Sequence, residues 1–252
     1  RMVMLNHLLE RVRLADRQVL WLGDEDEISG PNAADRTEHL REFRLEDGLP
    51  VWTYRMGGVA IEKRVLMLHG QNTVHVTYRL LEGPGPVRLS LRPSLHFRPY
   101  ESAVNTSPGQ AFTVSAVQQR YEVSAGPDLP MLRLALHGER GALTLDARTS
   151  GVSYRMEKIR GYESVGSLWS PGYFRADLAA GAPVTLVAST EPWEVVEALT
   201  PDGAAAAEQE RRARLLERAG SAAADRLGAE LVLAADQFII TPAGRADEAA
   251  RA

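Results

Sequence analysis

Three short segments of this chain combine flat aromatic rings with side chains able to bind neighbouring hydroxyls. Pro50-Val51-Trp52-Thr53-Tyr54-Arg55 carries Trp52 and Tyr54 two positions apart, on one face of an extended strand, with Arg55 on the other. Phe97-Arg98-Pro99-Tyr100-Glu101 places Arg98, Tyr100 and Glu101 at the end of an alternating run, where the loops of a sandwich gather. Leu168-Trp169-Ser170-Pro171-Gly172-Tyr173-Phe174 puts three aromatics, Trp169 and Tyr173 among them, into what reads as a turn, in a chain only 6% aromatic. An aromatic face stacks on the apolar side of a pyranose, while guanidinium and carboxylate groups bind its hydroxyls in pairs. Saccharide binding is therefore the chemistry these residues suit. Core packing competes for at least one of Trp52 and Tyr54, loop structure competes equally for the Arg98 group, and a domain contact competes for Trp169 and Tyr173.

Other chemistries lack their residues. The six histidines, at 7, 39, 69, 75, 96 and 137, form no HExxH or His-x-His pattern, and no cysteine is present to hold metal, form a disulfide or act as a nucleophile. Asp24-Glu25-Asp26-Glu27 lacks the ligand order and mid-loop glycine of a calcium loop and reads as a solvated acidic segment. Neither G-x-S-x-G nor a phosphate loop occurs. Glycoside hydrolysis needs two carboxyls roughly 5–10 Å apart. Nothing singles such a pair out from the 33 acidic residues, so no catalytic residue is assigned. His69, His75, His96 and His137 fall on strands and read individually as structural. A formal net charge of −4 with 44% hydrophobic residues describes an ordinary globular protein and gives no basic excess for nucleic acid. No run is long and apolar enough to span a bilayer, and no secretory signal opens the chain.

The elements that must position these groups are mostly strands. From the start to about Thr190 the period is two, most clearly in Val87–Arg98, where odd positions other than Pro93 are large and apolar and even ones polar. One face is then core and the other wet or functional. Asp47-Gly48, Gly57-Gly58, Gly70-Gln71-Asn72, Gly83-Pro84-Gly85-Pro86, Gly126-Pro127-Asp128 and Gly138–Gly141 punctuate the runs, with Gly83–Gly85 read as a hairpin. Many strands on short connections predict two packed antiparallel sheets. Pro93 marks a bulge or bend near a sheet edge, and a break in phase near Arg64-Val65 suggests a second bulge. After Pro201 alanine, glutamate, arginine and leucine dominate, predicting a helix over 203–219 with Asp202 as N-cap. Gly220-Ser221 stops it, Ser221 caps a second helix, and Leu227, Leu231, Ala234 and Phe238 form an apolar stripe that needs a partner. Residues 1–200 are thus expected to form the β body and 201–252 a helical extension, with Pro242-Ala243-Gly244 opening an exposed linker.

The order of certain segments resembles the N-terminal domain of bacterial and archaeal glycogen debranching enzymes (amylo-α-1,6-glucosidases). These are Leu40–Leu45, Gly48–Tyr54, Ile61-Glu62-Lys63-Arg64-Val65-Leu66-Met67, Asn72–Arg79, Glu157-Lys158-Ile159-Arg160-Gly161-Tyr162, Leu168–Phe174 and Ala234–Ile240. The resemblance implies a large β-sandwich of the galactose mutarotase-like supersandwich kind with a C-terminal helical extension. It also implies a cytoplasmic parent enzyme that hydrolyses α-1,6 branch glucose without metal or organic cofactor. The partners it implies are α-glucan (glycogen or limit dextrin) and a C-terminal (α/α)6 catalytic barrel, with no nucleic acid and no membrane. This chain would then be a non-catalytic domain that helps position the glucan. Two alternatives stand beside it: an aldose-epimerase-like enzyme using His75 or His96 with a glutamate, and a stand-alone carbohydrate-binding or structural module.

Overall fold

The computed structural model describes residues 2–22, 38–106 and 111–239, so the Asp24–Glu27 and Pro242–Gly244 segments lie outside the described residues. The strands are β1 (Met2–Arg13), β2 (Val19–Leu22), β3 (Leu40–Glu46), β4 (Leu49–Met56), β5 (Val59–Met67), β6 (Thr73–Glu82) and β7 (Val87–Pro99). They continue as β8 (Thr113–Val117), β9 (Arg120–Ser124), β10 (Leu132–His137), β11 (Glu139–Ser153), β12 (Val165–Leu178) and β13 (Val184–Ser189). Two antiparallel sheets result, a five-stranded one in the order β11-β12-β7-β1-β2 and an eight-stranded one in the order β3-β4-β5-β6-β13-β10-β9-β8. The protein is a mainly β sandwich, as the alternation predicts. Between the sheets lie Val12, Leu89, Leu91, Leu95, Phe97, Phe174 and Leu178 from one side and Tyr54, Ile61, Tyr78, Val123, Leu134, Val184 and Leu186 from the other. Each such side chain, removed from water, contributes about 1.5–3 kcal/mol.

The connections differ from the sequence reading in two places. Gly83–Pro86 is not a hairpin, because β6 belongs to the eight-stranded sheet and β7 to the five-stranded one; the segment carries the chain across the sandwich. The Gly138 corner between β10 and β11 does the same. A glycine/proline connection looks alike in sequence whether the next strand pairs with its predecessor or crosses to the facing sheet. Asp47-Gly48, Gly57-Gly58 and Gly70–Asn72 do join paired neighbours.

Bulges also move. Pairing of β5 with β6 shifts at Ala60/Ile61, not at Arg64-Val65. Pro93, which has no N–H to donate, sits where β7–β12 pairing is interrupted between Leu91 and Leu95, but on the central strand of its sheet and not near an edge. Leu168–Phe174 is not a turn: it lies inside β12, and its Ser170-Pro171-Gly172 portion fills that same interruption.

A short helix, α1 (Arg155–Ile159), sits at the tip of the long β11–β12 hairpin, and α2 (Trp193–Val196) follows β13. Then come α3 (Pro201–Ala219), a 3₁₀ turn at Gly220–Ala223 and α4 (Arg226–Asp236). The N-caps are Thr200, which accepts from the Gly203 N–H at 3.1 Å, and Asp225, which accepts from Gly228 at 2.7 Å, in place of the expected Asp202 and Ser221. Pro201 at the first helical position shifts the start two residues upstream of the prediction. Arg212 anchors α3 to the β3–β4 turn by donating to the Asp47 carbonyl at 2.8 Å and to Glu208 at 2.8 Å. Helix α4 turns Leu233 inward and leaves Leu227 and Leu231 exposed, as is Phe238 just beyond it. No helix among the described residues is long and apolar enough to cross a membrane.

Candidate functional site

The even positions of β7, from Ser90 through Arg92, Ser94 and His96 to Arg98, point away from the sandwich interior, yet all are buried. The face is polar but covered, and Arg92 accounts for much of the cover. Its Nη1 donates to the Asp146 carbonyl at 3.0 Å and Ser170 Oγ at 3.4 Å, and its Nη2 donates to the Asp146 carboxylate. The guanidinium carbon lies 5.2 Å from the centre of the Tyr173 ring, while that of Arg175 lies 4.7 Å away and Arg175 also donates to the Tyr173 hydroxyl. On β1 the Arg11 guanidinium lies 6.0 Å from the centre of the Trp21 ring. Arg11, Trp21, Arg92, Asp146 and Tyr173, together with Leu9, Ser90 and Arg148, line an open cleft of about 250 Å³ on the outer face of the five-stranded sheet.

Tyr173 reaches this cleft because of the interruption in β12. Ser170 Oγ donates to the Gly172 carbonyl at 3.0 Å and accepts from the Gly172 N–H at 3.3 Å, closing a tight local loop. Gly172 adopts φ +147°, and a Cβ there would stand 2.8 Å from the Asp146 nitrogen and closer still to the Thr144 carbonyl oxygen. Simple alternation would put Trp169 and Tyr173 on one face. The extra residues reverse the phase, so Trp169 packs toward the core, stacked on Phe112 at 4.5 Å, and Tyr173 faces out.

The seven sequence candidates therefore fall in separate places. Tyr173 alone lines the cleft. Tyr54 is 4% exposed between the sheets, with no ring face open to a ligand. Trp52 lies partly buried beside Lys63 and Phe43. Both belong to a buried cluster in which Glu10, 1% exposed, accepts from the Tyr78 hydroxyl and pairs with Lys63 at 2.5 Å. Burial, with the nearby Glu10 carboxylate, raises the Tyr78 and Tyr54 phenols well above their ordinary range. Arg98 spends Nη1 on the Pro99, Tyr100 and Ser102 carbonyls at 2.8–3.2 Å, fixing the loop that leaves Tyr100 and Glu101 exposed. That loop and Trp169 lie toward the end of the sheet that bears the β11–β12 tip, where Met156, Ile159 and Tyr162 are exposed.

Arg11, Trp21, Arg92, Asp146 and Arg148 complete the cleft and were not among the sequence candidates. For Arg92 the polar positions of Val87–Arg98 were the signal; the others lie on different strands, outside that run. The Glu62-Lys63-Arg64 motif divides between faces: Lys63 meets Glu10 inside, while Glu62 and Arg64 join Arg44 and Glu46 outside. Burial alone would raise the Glu62 carboxyl, but Arg64 and Arg44 hold it below the usual range.

Of the histidines, His75 is 3% exposed and its Nδ1 has no hydrogen-bond partner among the described residues. It lines a cavity of about 200 Å³ beneath α2 and α3 that Glu194 also lines. Burial, with His137 adding to it, lowers its pKa to about 4. Burial and the Arg98 charge lower that of His96. Among the described residues no three His, Asp or Glu side chains converge as a metal site would require.

The family described as glycogen debranching enzyme N terminal matches residues 1–185. Among solved structures, that of a bacterial glucoamylase complexed with acarbose is similar at 12% identity and a TM-score of 0.41, covering 83% of this chain. The chain spans 29% of the length of that structure. No curated protein matches.

Proposed function

The chain belongs to the glycogen debranching enzyme N-terminal family, and from that premise we propose that it is a non-catalytic domain that holds α-glucan for α-1,6 hydrolysis by a C-terminal barrel. The outer-face cleft carries this reading. It sets the Tyr173 and Trp21 rings among Arg11, Arg92 and Asp146, the pairing of apolar face and bidentate polar groups that a pyranose requires. Its rigid floor of paired strands suits it to positioning, since the groups are fixed before the ligand arrives.

Chemistry belongs elsewhere in this reading. Glycosidic cleavage uses two carboxyls facing each other across the bond. Asp146 is the one carboxylate among the described residues lining the cleft, and it is engaged by Arg92. The exposed Leu227 and Leu231 on α4, Phe238 just past its end, and Met156, Ile159 and Tyr162 on the β11–β12 tip, would then meet the barrel.

Titration of the purified chain with maltotetraose, alongside a glucose-release assay on limit dextrin, tests the proposal. Saturable binding that Tyr173→Ala weakens at least tenfold, with no glucose released, is expected. Glucose release by the chain alone would overturn the non-catalytic part, and an absence of binding at millimolar sugar would overturn the positioning part.

A further inference from the structure

We propose that the outer-face cleft takes a phosphomonoester of glucose, either a free hexose phosphate or a phosphate carried on glucan, in preference to an unmodified sugar. The inference rests on the cleft being the saccharide site and goes further by naming the charge its ligand must bear.

Every sugar hydroxyl both donates and accepts, so a cleft for neutral glucan uses acceptors as well as donors. A guanidinium only donates. Here Arg11 and Arg92 line the cleft, with Arg175 beside it over the Tyr173 ring. Among the described residues the carboxylate and phenol acceptors of this face are already engaged: Arg92 takes both the carboxylate and the carbonyl of Asp146, and Arg175 takes the Tyr173 hydroxyl. Among those residues the surplus is therefore of donors and of positive charge.

The excess continues along the face. One row further, Arg13 on β1 stands opposite Arg88 on β7, which stands opposite Asp177 on β12. Arg88 and Arg140 share that single carboxylate, at 3.2 and 3.4 Å. This row lines a second depression of about 360 Å³ with Arg17 at its rim. In a chain whose net charge is −4, the described part of this face is basic.

A phosphomonoester supplies what such a face lacks: a charge of about −1.5 to −2 near neutral pH and three strong acceptor oxygens. Guanidinium groups bind it through paired N–H donors. The ring of the same ligand would lie along Trp21 and Tyr173, and a cleft of about 250 Å³ has room for one pyranose with its phosphate.

The full chain is titrated by calorimetry with glucose 1-phosphate, glucose 6-phosphate, a phosphorylated maltodextrin, unmodified maltotetraose and inorganic phosphate. At least one phosphorylated sugar is expected to bind tenfold or more tighter than maltotetraose and than inorganic phosphate. Arg11→Ala and Arg175→Ala should each remove most of that preference by weakening the phosphorylated sugar at least five times more than maltotetraose, and Arg11→Lys should restore part of it. Arg175 is exposed and Arg11 half-buried, and thermal melts of the variants verify the fold. Tighter binding of the free hexose phosphates, or of the phosphorylated maltodextrin, identifies the source of the phosphate and supports the inference either way. Equal affinity for phosphorylated and unmodified sugar, or a preference untouched by both arginine changes, overturns it while leaving glucan positioning intact. Inorganic phosphate binding as tightly as the sugar phosphates overturns the sugar component. Phosphorylated sugar bound with no detectable maltotetraose binding sustains the inference and removes the neutral-glucan reading.

Discussion

Gly172→Ala is the substitution for which the structure makes the sharpest demand. At φ +147° an L-residue is strained by about 1–3 kcal/mol. The new methyl would also press on the Thr144 carbonyl and on the Asp146 nitrogen of the paired strand, at 2.8 Å from the latter, and both are backbone atoms that no rotamer change can move. Relief requires β11 and β12 to part around Leu145↔Gly172, at a cost of about two ladder hydrogen bonds, roughly 0.5–1.5 kcal/mol each. The sum is about 4 kcal/mol, or a melting temperature lower by roughly 8–16 °C for a domain of this size. Gly181→Ala is the control: φ there is +75° with nothing within 4 Å of the added carbon, so only the conformational cost of about 1–2 kcal/mol applies. Urea denaturation of both variants measures the difference, and near-ultraviolet dichroism reports the packing of Trp169 and Tyr173. Losses equal within 1 kcal/mol would refute the claim that this close approach positions Tyr173 and Asp146.

Three further outcomes are expected. Lys63→Met leaves Glu10 charged and 1% exposed without its cation and should cost about 3–5 kcal/mol in urea denaturation, most of it regained when Glu10→Gln is added; a double variant no more stable than the single would contradict the pairing. Burial lowers His75 to about 4 in the folded state against an unfolded value of 6.5, so the unfolded chain binds the extra proton between those values and stability falls as pH drops through that window. From pH 7 to 5 the loss from this residue is about 2 kcal/mol, by the conversion of about 1.4 kcal/mol per unit; His75→Gln should show correspondingly less acid sensitivity, and an unchanged slope would contradict the assignment. Arg212→Ala removes the contacts to Asp47 and Glu208 and should cost about 2 kcal/mol, appearing as faster amide exchange across Pro201–Ala219 with the strands unaffected; exchange unchanged in that helix would show that Arg212 does not anchor it.

The strand content was legible because alternation is local, and Val87–Arg98 lies where its period says it should. Sheet membership was not, since the turn chemistry of Gly83–Pro86 serves a crossing as well as a hairpin. The Leu168–Phe174 segment was singled out for its aromatics, but the phase reversal that sends Trp169 inward and Tyr173 outward depends on backbone contact with β11, which no spacing encodes. Arg92 and Arg11 stand at polar positions of strands, where sequence cannot tell a solvated face from the floor of a cleft. Tyr54 shows the reverse: its spacing from Trp52 fitted a sugar platform, whereas the facing sheet and Glu10 make it core. The α4 stripe was visible, yet Leu233, outside that stripe, is the residue turned inward.

Glucan held by this sandwich would lie on the outer face of its five-stranded sheet. A crystal structure of the chain with a maltooligosaccharide, or with the phosphorylated sugar it prefers, tests this most directly. A pyranose against Tyr173 and Trp21, with Arg11 and Arg92 within hydrogen-bond reach, is expected. A saccharide bound instead at the Tyr100–Glu101 loop or in the His75 cavity, with the cleft empty at saturating ligand, would contradict it.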